Sequence, residues 1–260
     1  MYGYVTDGLY QVSDFDYDAT TQKYTLKEGI AYNPNNSPKP GYWKFRDIAG
    51  AFDENGNPIP DGKISSDDRT VIGNATPKVF GGINNSFTYK NFDFSAFFNF
   101  SIGNDIYNAT KLYNTLVART NKNALDVANS SHRWVTIDET GSRITDPNTL
   151  EQLNRGKTVA QYGDMTEGTV VLHSWAIEDG SFLRLSNVTL GYTLPASLLK
   201  KISIDKLRIY GTANNLFVIT NYSGFDPEVS TRNSSGLTPG IDWGAYPRAK
   251  SLVFGVNVTF

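Results

Sequence analysis

The sequence predicts an all-β fold: a segment of an antiparallel transmembrane β-barrel with long extracellular loops. Apolar and polar residues alternate through several stretches of bilayer-spanning length, and short turns alternate with long polar loops. Aromatic residues make up 13% of the chain, which suits the aromatic girdles of such barrels. No apolar run is long enough for a transmembrane helix, whereas a barrel strand needs an apolar residue only at every second position.

Composition limits the possible functions. The 260 residues carry a formal charge of -2, so the overall charge does not favour binding to nucleic acid or to an anionic membrane surface. There is no cysteine, which excludes disulfides and thiolate metal sites. Residues 1–7 lack the basic and apolar regions of a signal peptide. If the chain lies outside the cytoplasm, Met1 is therefore not expected to be the start of the whole protein.

The strongest hairpin is predicted for residues 79–102. Val79 to Tyr89 forms the first arm, Lys90-Asn91 is a two-residue turn, and Phe92 to Ile102 forms the second arm. Each arm has the ~9–11 residues that a tilted strand needs to cross a bilayer. The side chains of the second arm that are expected to face lipid are Phe94, Phe98 and Phe100.

Three more strands are predicted downstream. The strand at residues 182–194 changes parity near Ser186-Asn187, which indicates a β-bulge. In the strand at residues 206–217, a polar row is expected to face the lumen: Arg208, Tyr210, Thr212 and Asn214. In the last strand, residues 250–260, a second apolar row is expected to face lipid: Leu252, Phe254 and Val256.

The connections between these strands predict their orientation. Short turns lie in the periplasm and long loops lie outside in outer-membrane barrels. Residues 103–180 and 218–249 form long polar loops, which are expected outside the cell. The last strand follows the second of these loops and crosses the membrane once, so the carboxyl terminus is expected in the periplasm. The predicted division is an extracellular loop region with short strands, residues 1–78, and a region of barrel strands and loops, residues 79–260. Because five strands cannot close a barrel and lipid does not solvate open sheet edges, the missing strands are expected elsewhere in the same protein.

A series of segments carries a family signal that no single motif would. The segments are residues 2–10 (YGYVTDGLY), 61–74 (DGKISSDDRTVIGN), 91–95 (NFDFS), 178–192 (EDGSFLRLSNVTLGY), 207–210 (LRIY), 214–217 (NNLF), 222–228 (YSGFDPE) and the terminal strand. In this order they resemble the carboxyl-terminal part of the SusC/RagA family of TonB-dependent outer-membrane transporters. The resemblance covers most of the chain.

The resemblance implies a large plugged barrel of roughly 22 strands, whose carboxyl-terminal strands this chain would supply. It implies uptake of oligosaccharides or peptides across the outer membrane of a Gram-negative bacterium. A SusD-like lipoprotein would close the outer mouth, and TonB would pull on a plug domain. Neither a plug nor a TonB-box segment is present in the sequence, so the plug and the amino-terminal strands are expected as partners from the rest of the transporter.

Aromatic and acidic side chains in the predicted extracellular segments are the candidate contacts with substrate or lid: Trp43, Trp134, Tyr222, Asp226, Trp243 and Tyr246. Aromatic faces stack on sugar rings or press against a partner protein. The alternative is that they pack loops together or mark the membrane interface.

An oxygen-rich loop is a candidate for structural calcium through Asp53, Asn55, Asp61, Asp67 and Asp68. The EF-hand spacing fails there, so a solvated turn is the alternative. No other cofactor is expected.

Two other functions remain open. A soluble carbohydrate-binding β-sandwich would also alternate on its inner faces, although the hairpin arms and residues 103–180 are long for it. A passive outer-membrane pore or adhesin would lack a plug upstream. An enzyme is not expected, because the histidines His132 and His173 have no ligand spacing and no catalytic motif stands out.

Overall fold

Antiparallel strands of two very different lengths make up the computed structural model of the chain, which describes residues 1–115, 123–161, 171–200, 203–229 and 238–260. The strands divide between two units, Met1–Gly73 with Tyr107–Ile177 and Asn74–Ile106 with Glu178–Phe260. The first unit thus combines most of the predicted region 1–78 with most of the loop predicted for residues 103–180. The reason is a shared core, in which Trp134 and Leu150 pack with Leu9 and Trp43.

The described residues of the first unit include short strands and two short α-helices. The strands are β1 Tyr2–Gly3, β2 Thr6–Leu9, β3 Phe15–Asp18, β4 Lys23–Leu26, β5 Trp43–Phe45, β6 Gly50–Phe52, β7 Pro58–Pro60 and β8 Thr70–Val71, and the helices are α1 Ala109–Asn114 and α2 Pro147–Asn154. The pairs are β1 with β8, β2 with β5, β3 with β4 and β6 with β7. Helix α2 begins where its sequence favours a start, because the Asp146 side chain accepts from the Thr149 N–H and Pro147 needs no partner in the first turn.

The second unit is dominated by long strands. Its elements, with β11 and β12 running across the unit boundaries, are β9 Val79–Tyr89, β10 Phe92–Ile102, β11 Asp105–Asn108, β12 Ile177–Asp179, β13 Phe182–Thr193, α3 Ala196–Leu199, β14 Lys206–Thr220, β15 Ile241–Asp242 and β16 Ser251–Thr259. Five of them form one antiparallel sheet in the order β16–β14–β13–β10–β9. A smaller sheet has the order β12–β11–β15. In the described ranges, no helix has the length and apolar character needed to cross a membrane.

The five predicted long strands are confirmed. Strands β9 and β10 have the predicted bounds, and Lys90 takes a positive φ of 53° in the turn between them. Strand β14 extends three residues beyond the predicted Phe217, to Thr220, and β13 and β16 end one residue earlier than predicted. The alternation of side chains was therefore sufficient to locate the sheet.

The predicted bulge in β13 is also confirmed. Leu185 pairs with Phe98 and Asn187 pairs with Phe97 of β10, so Ser186 is an extra residue without an opposite partner. This extra residue brings Leu185 into phase with Val188 on one face of the sheet. The bulge thus places the apolar residues before and after the change of parity on the same face of the sheet.

Candidate functional site

The polar face of the five-stranded sheet carries the residues predicted to line the lumen: Arg208, Tyr210, Thr212 and Asn214. The hydroxyls of Thr212 and Thr189 lie 2.8 Å apart, and the Asn187 side-chain amide donates to Asn214 Oδ1 at 2.8 Å. The Asn214 amide in turn donates to Ser251 Oγ at 3.0 Å. The polar side chains of β13, β14 and β16 thus form a hydrogen-bonded ladder across the sheet.

The opposite face carries the residues predicted to face lipid: Phe94, Phe98, Phe100, Leu252, Phe254 and Val256. On β16, Phe254 is 83% exposed and Leu252 is 69% exposed. Contiguous apolar surface of this kind marks a contact with a membrane or another protein. The register separates the two rows as expected, and their facing toward lipid and lumen stays a prediction.

An ion pair crosses the polar face over a glycine. The Arg208 guanidinium on β14 donates from Nε and Nη2 to the Asp93 carboxylate on β10, at 2.8 and 2.5 Å. Strand β13 lies between these two strands, and Gly191 occupies the crossing point. A Cβ atom at Gly191 would lie 2.5 Å from both Arg208 Nη2 and Asp93 Oδ1. The glycine therefore leaves the space through which a bidentate pair connects β14 to β10 across β13.

A second charged cluster is buried at the start of β13. Arg184, only 3% exposed, places Nη2 at 2.5 Å from Asp226 Oδ1 and Nε at 2.7 Å from Glu228 Oε2. Arg248 Nη2 lies 3.3 Å from Glu228 Oε1, and the Asn99 side-chain amide donates to the same oxygen at 3.2 Å. Asn99, Glu228 and Arg248 also line a cleft of about 690 Å³. The geometry fixes the loop after β14 to the sheet.

The candidate contacts in this second unit have different environments. Asp226 is committed to Arg184, and the buried Tyr222 hydroxyl donates to Asp242 Oδ2 at 2.6 Å. Burial, with a smaller contribution from Asp242, raises the pKa of Tyr222. Both residues therefore have structural contacts already. Trp243 and Tyr246 are exposed, Tyr246 by 91%, and keep surface for a partner or ligand.

The two candidate tryptophans of the first unit belong to its core. Trp134 is 1% exposed and packs against Gly41, and Trp43 is 8% exposed. The burial of Trp134 favours the alternative that it packs loops together, and its contact with substrate or lid stays a prediction. Trp43 retains only a small accessible part, which borders a cleft.

His173 lies beside Trp43 in an aromatic enclosure that the sequence did not indicate. Its ring centroid is 4.8 Å from that of Trp43 and 5.5 Å from that of Phe45. Neither ring nitrogen has a hydrogen-bond partner among the residues the structure describes. Burial, reinforced by the nearby Lys111, lowers the pKa of His173 to about 3, so the ring is neutral.

The acidic loop is organised by its own backbone. Asp68 is buried and its two carboxylate oxygens accept from the N–H groups of Ile48, Ala49 and Ser65. Asp53 accepts from the side chain and backbone of Asn57, and these bonds lower its pKa. Asn55, Asp61 and Asp67 complete the predicted set, and in the described ranges no group of three or more acidic or histidine side chains is arranged to hold a metal ion. Calcium binding stays a prediction. A calcium ion would have to compete with these hydrogen bonds for the carboxylate oxygens of Asp53 and Asp68.

Arg184 and Asp93 are the residues that the sequence reasoning did not select. Both sit on polar-face positions of strands whose other face is apolar, and a charge at such a position is a usable signal. Their partners lie 42 and 115 residues away along the chain, so spacing alone did not connect them.

The chain is similar in sequence to TonB-dependent receptors. No family model matches the chain. It is 32% identical over its whole length to TonB-dependent receptor P3 of Formosa agariphila, of which it spans 22%. It is 28% identical over 80% of its length to TonB-dependent receptor SusC of Bacteroides thetaiotaomicron, of which it spans 18%.

Solved structures agree on the fold. The structure of the RagAB peptide transporter matches the whole chain with a TM-score of 0.60 at 23% identity, and the chain covers 23% of the matched chain. The RagAB peptide importer in its closed-closed state matches with a TM-score of 0.59 at 21% identity. The chain therefore has the fold of an antiparallel transmembrane β-barrel segment and spans less than a quarter of the length of these relatives. In sequence it is similar to a segment of TonB-dependent receptors, SusC among them, and in fold it is similar to a segment of a RagAB chain.

Proposed function

We propose that this chain is the carboxyl-terminal barrel portion of a TonB-dependent outer-membrane importer of oligosaccharides or peptides. The five-stranded sheet carries the proposal, because its long strands present one exposed apolar face and one hydrogen-bonded polar face. The names of the related receptors support energised transport. The chain's part in it is structural: it forms a section of the wall around the transport path.

The proposed partners follow from the same assignment. The remaining strands and the plug would come from the rest of the transporter, TonB would act through that plug, and a SusD-like surface lipoprotein would close the outer mouth. The long loops would be extracellular and the carboxyl terminus periplasmic, in a Gram-negative outer membrane. The chain would not act as an enzyme, and no nucleic acid would bind to it.

The alternatives differ in what they require of the sheet and of the energy source. A soluble β-sandwich would bury the apolar face on which Phe254 and Leu252 are exposed. A passive pore or adhesin would keep that face but would not depend on TonB.

Transport assays in the source bacterium test the proposal. Uptake of labelled oligosaccharide and peptide pools would be measured in the wild type, in a strain lacking the whole transporter gene and in a strain lacking TonB. We expect both deletions to abolish uptake of the same pool. Uptake that disappears with the transporter but survives without TonB would instead establish a passive pore, and uptake unaffected by either deletion would reject import.

A further inference from the structure

The first unit contains a cleft of about 510 Å³ that the wall function does not use. Clefts of roughly 300–1,000 Å³ that combine apolar walls with a few polar groups are typical small-molecule sites. This cleft is formed by residues of the first unit alone, between the segments around Tyr4, Asn33, Tyr42 and Ser65.

Aromatic rings form the wall of the cleft, and their positions are fixed by contacts behind them. The rings of Tyr4 and Phe45 pack with centroids 5.2 Å apart. The Tyr10 hydroxyl donates to the Ala31 carbonyl at 2.7 Å, and Trp43 packs against Trp175 with centroids 5.1 Å apart. A preformed aromatic wall suits a ring-shaped ligand, because no side chain must be ordered when it binds.

Amides and hydroxyls lie at the edge of this wall. The Asn33 side-chain oxygen accepts from the Asn35 N–H at 2.9 Å, and the Ser65 hydroxyl accepts from the Asp67 N–H at 3.1 Å. Both bonds use acceptor capacity and leave the Asn33 amide and Ser65 hydroxyl protons to donate elsewhere. Aromatic faces beside such groups match a sugar ring, which has apolar faces and hydroxyls at its periphery.

The charge of the cleft selects among sugars. Arg69 is exposed at the cleft and is oriented by Tyr4, since its guanidinium carbon lies 5.3 Å from the centroid of the Tyr4 ring and its side chain hydrogen-bonds to the Tyr4 side chain. Lys63 lines the same cleft. Across the described part of the chain, no acidic side chain forms an ion pair with Arg69 or Lys63. Among the described residues that line the cleft, Asp61 is the one carboxylate. The two cations Lys63 and Arg69 therefore outnumber the anionic groups there. An oriented guanidinium without a carboxylate partner is suited to bind a planar carboxylate with two hydrogen bonds.

We propose that this cleft binds an acidic saccharide, with the sugar ring against the aromatic wall and its carboxylate on Arg69. That this saccharide is transported cargo rests on the proposed import function, whereas the binding itself does not. The inference therefore names a substrate class for the receptor and locates its recognition in the first unit.

Titration calorimetry on the full-length protein in detergent tests the binding. The probes are an α-1,4-linked galacturonic acid trisaccharide and the galactose trisaccharide of the same linkage, which differs in lacking carboxylates. We expect the acidic probe to bind about tenfold or more tightly than the neutral one, as a charge-assisted bidentate contact provides. Added salt should weaken the binding of the acidic probe and leave that of the neutral probe unchanged. Equal affinities would overturn the proposal.

Two variants assign the effect to Arg69. Arg69→Gln removes the charge and should abolish the preference for the acidic probe, whereas Arg69→Lys should retain part of it. The matched control is Arg46→Gln, since Arg46 is an exposed cation of the same unit that lies 3.6 Å from Asp7 and does not line the cleft. Its affinity should stay within about twofold of the wild type, as for a surface ion pair. An unchanged preference in Arg69→Gln, or an equal loss in the control, would overturn the assignment.

Failure of this inference is distinguishable from failure of the proposed function. Binding that requires Arg69, together with normal uptake in the transporter deletion strain, would retain the cleft and reject import. TonB-dependent uptake without any preference for the acidic probe would retain import and reject the cleft.

Discussion

At the scale of single residues, Arg184 explains how a charge is accommodated in a strand that has one apolar face. Its position on the polar face points it away from the exposed phenylalanines, toward Asp226 and Glu228. Buried ion pairs add little net stability, because desolvation opposes the attraction, but removal of one partner leaves an uncompensated buried charge. The cluster therefore specifies where the loop after β14 attaches more than it stabilises the fold.

This asymmetry gives the first prediction. Arg184→Ala should lower the free energy of unfolding by about 3–5 kcal/mol, because the buried Asp226 and the partly buried Glu228 lose their cation. Arg248→Ala is the matched control: Arg248 contacts the same Glu228 at 3.3 Å but is mostly exposed, so its loss should cost less than about 1 kcal/mol. Urea unfolding of the full-length protein in detergent measures both values. Similar costs for the two variants would contradict the buried-cluster account.

His173 gives a second prediction, in the first unit. Its pKa is about 3 in the folded protein, below the value of about 6.5 of an exposed histidine. Between these two values the unfolded chain binds a proton that the folded chain excludes. Stability is therefore complete above pH 6.5, falls as the pH is lowered from 6.5 to 3, and is constant below that range with respect to this group.

The variant His173→Phe should remove this part of the pH dependence, because phenylalanine fits the aromatic enclosure without titrating. The expected loss in the wild type is on the order of 5 kcal/mol between pH 6.5 and 3. Trp43 and Trp175 lie close to the ring, so tryptophan fluorescence during unfolding at several pH values measures it. The exposed His132, altered to Gln, is the control and should leave the profile nearly unchanged. Identical profiles for wild type and His173→Phe would refute the assignment.

At the scale of elements, strand positions were predictable because they depend on local alternation. The hairpin bounds, the turn at Lys90 and the bulge at Ser186 each follow from side chains that must share one face. The long-range partners were not predictable in this way. Trp134 enters the core of a unit that begins more than a hundred residues earlier, and nothing in its neighbouring sequence identifies that partner.

The candidate site likewise has one part that was predictable from local alternation and one part that was not. The two rows of the sheet follow from parity, so Arg208 and Phe254 were placed on opposite faces from sequence alone. The backbone bonds accepted by Asp68 and the cleft at Arg69 depend on folded loops, whose conformation has no periodic signal.

The opposed faces of β10 give a third prediction. Phe98→Lys places a charge on the apolar face and should cost about 2–4 kcal/mol if that face contacts the bilayer near its midplane. Ser95→Lys in the same strand places it on the polar face and should cost much less. Unfolding of the full-length protein reconstituted in lipid bilayers compares the two. Equal penalties would contradict the assignment of lipid and lumen.

At the scale of the whole molecule, the sheet is incomplete by itself. Strands β9 and β16 form its two edges, and among the described residues each has one neighbouring strand. Unpaired backbone groups along an edge are costly in lipid and promote association in water. The apolar face adds large exposed side chains such as Phe254 and Phe87. Both features are relieved if further strands continue the sheet on each side and lipid covers the outer face.

The fourth prediction concerns the chain produced alone. Expressed in the cytoplasm without the rest of a receptor, it should aggregate, because two open edges and an exposed apolar face are then in water. Size-exclusion chromatography and thermal unfolding measure this. The control is the full-length protein in the same detergent. It should elute as one species, whereas the isolated chain should not. A monomeric, soluble product of residues 1–260 that melts cooperatively would show that the sheet completes itself, and would remove the physical basis for treating it as part of a larger wall.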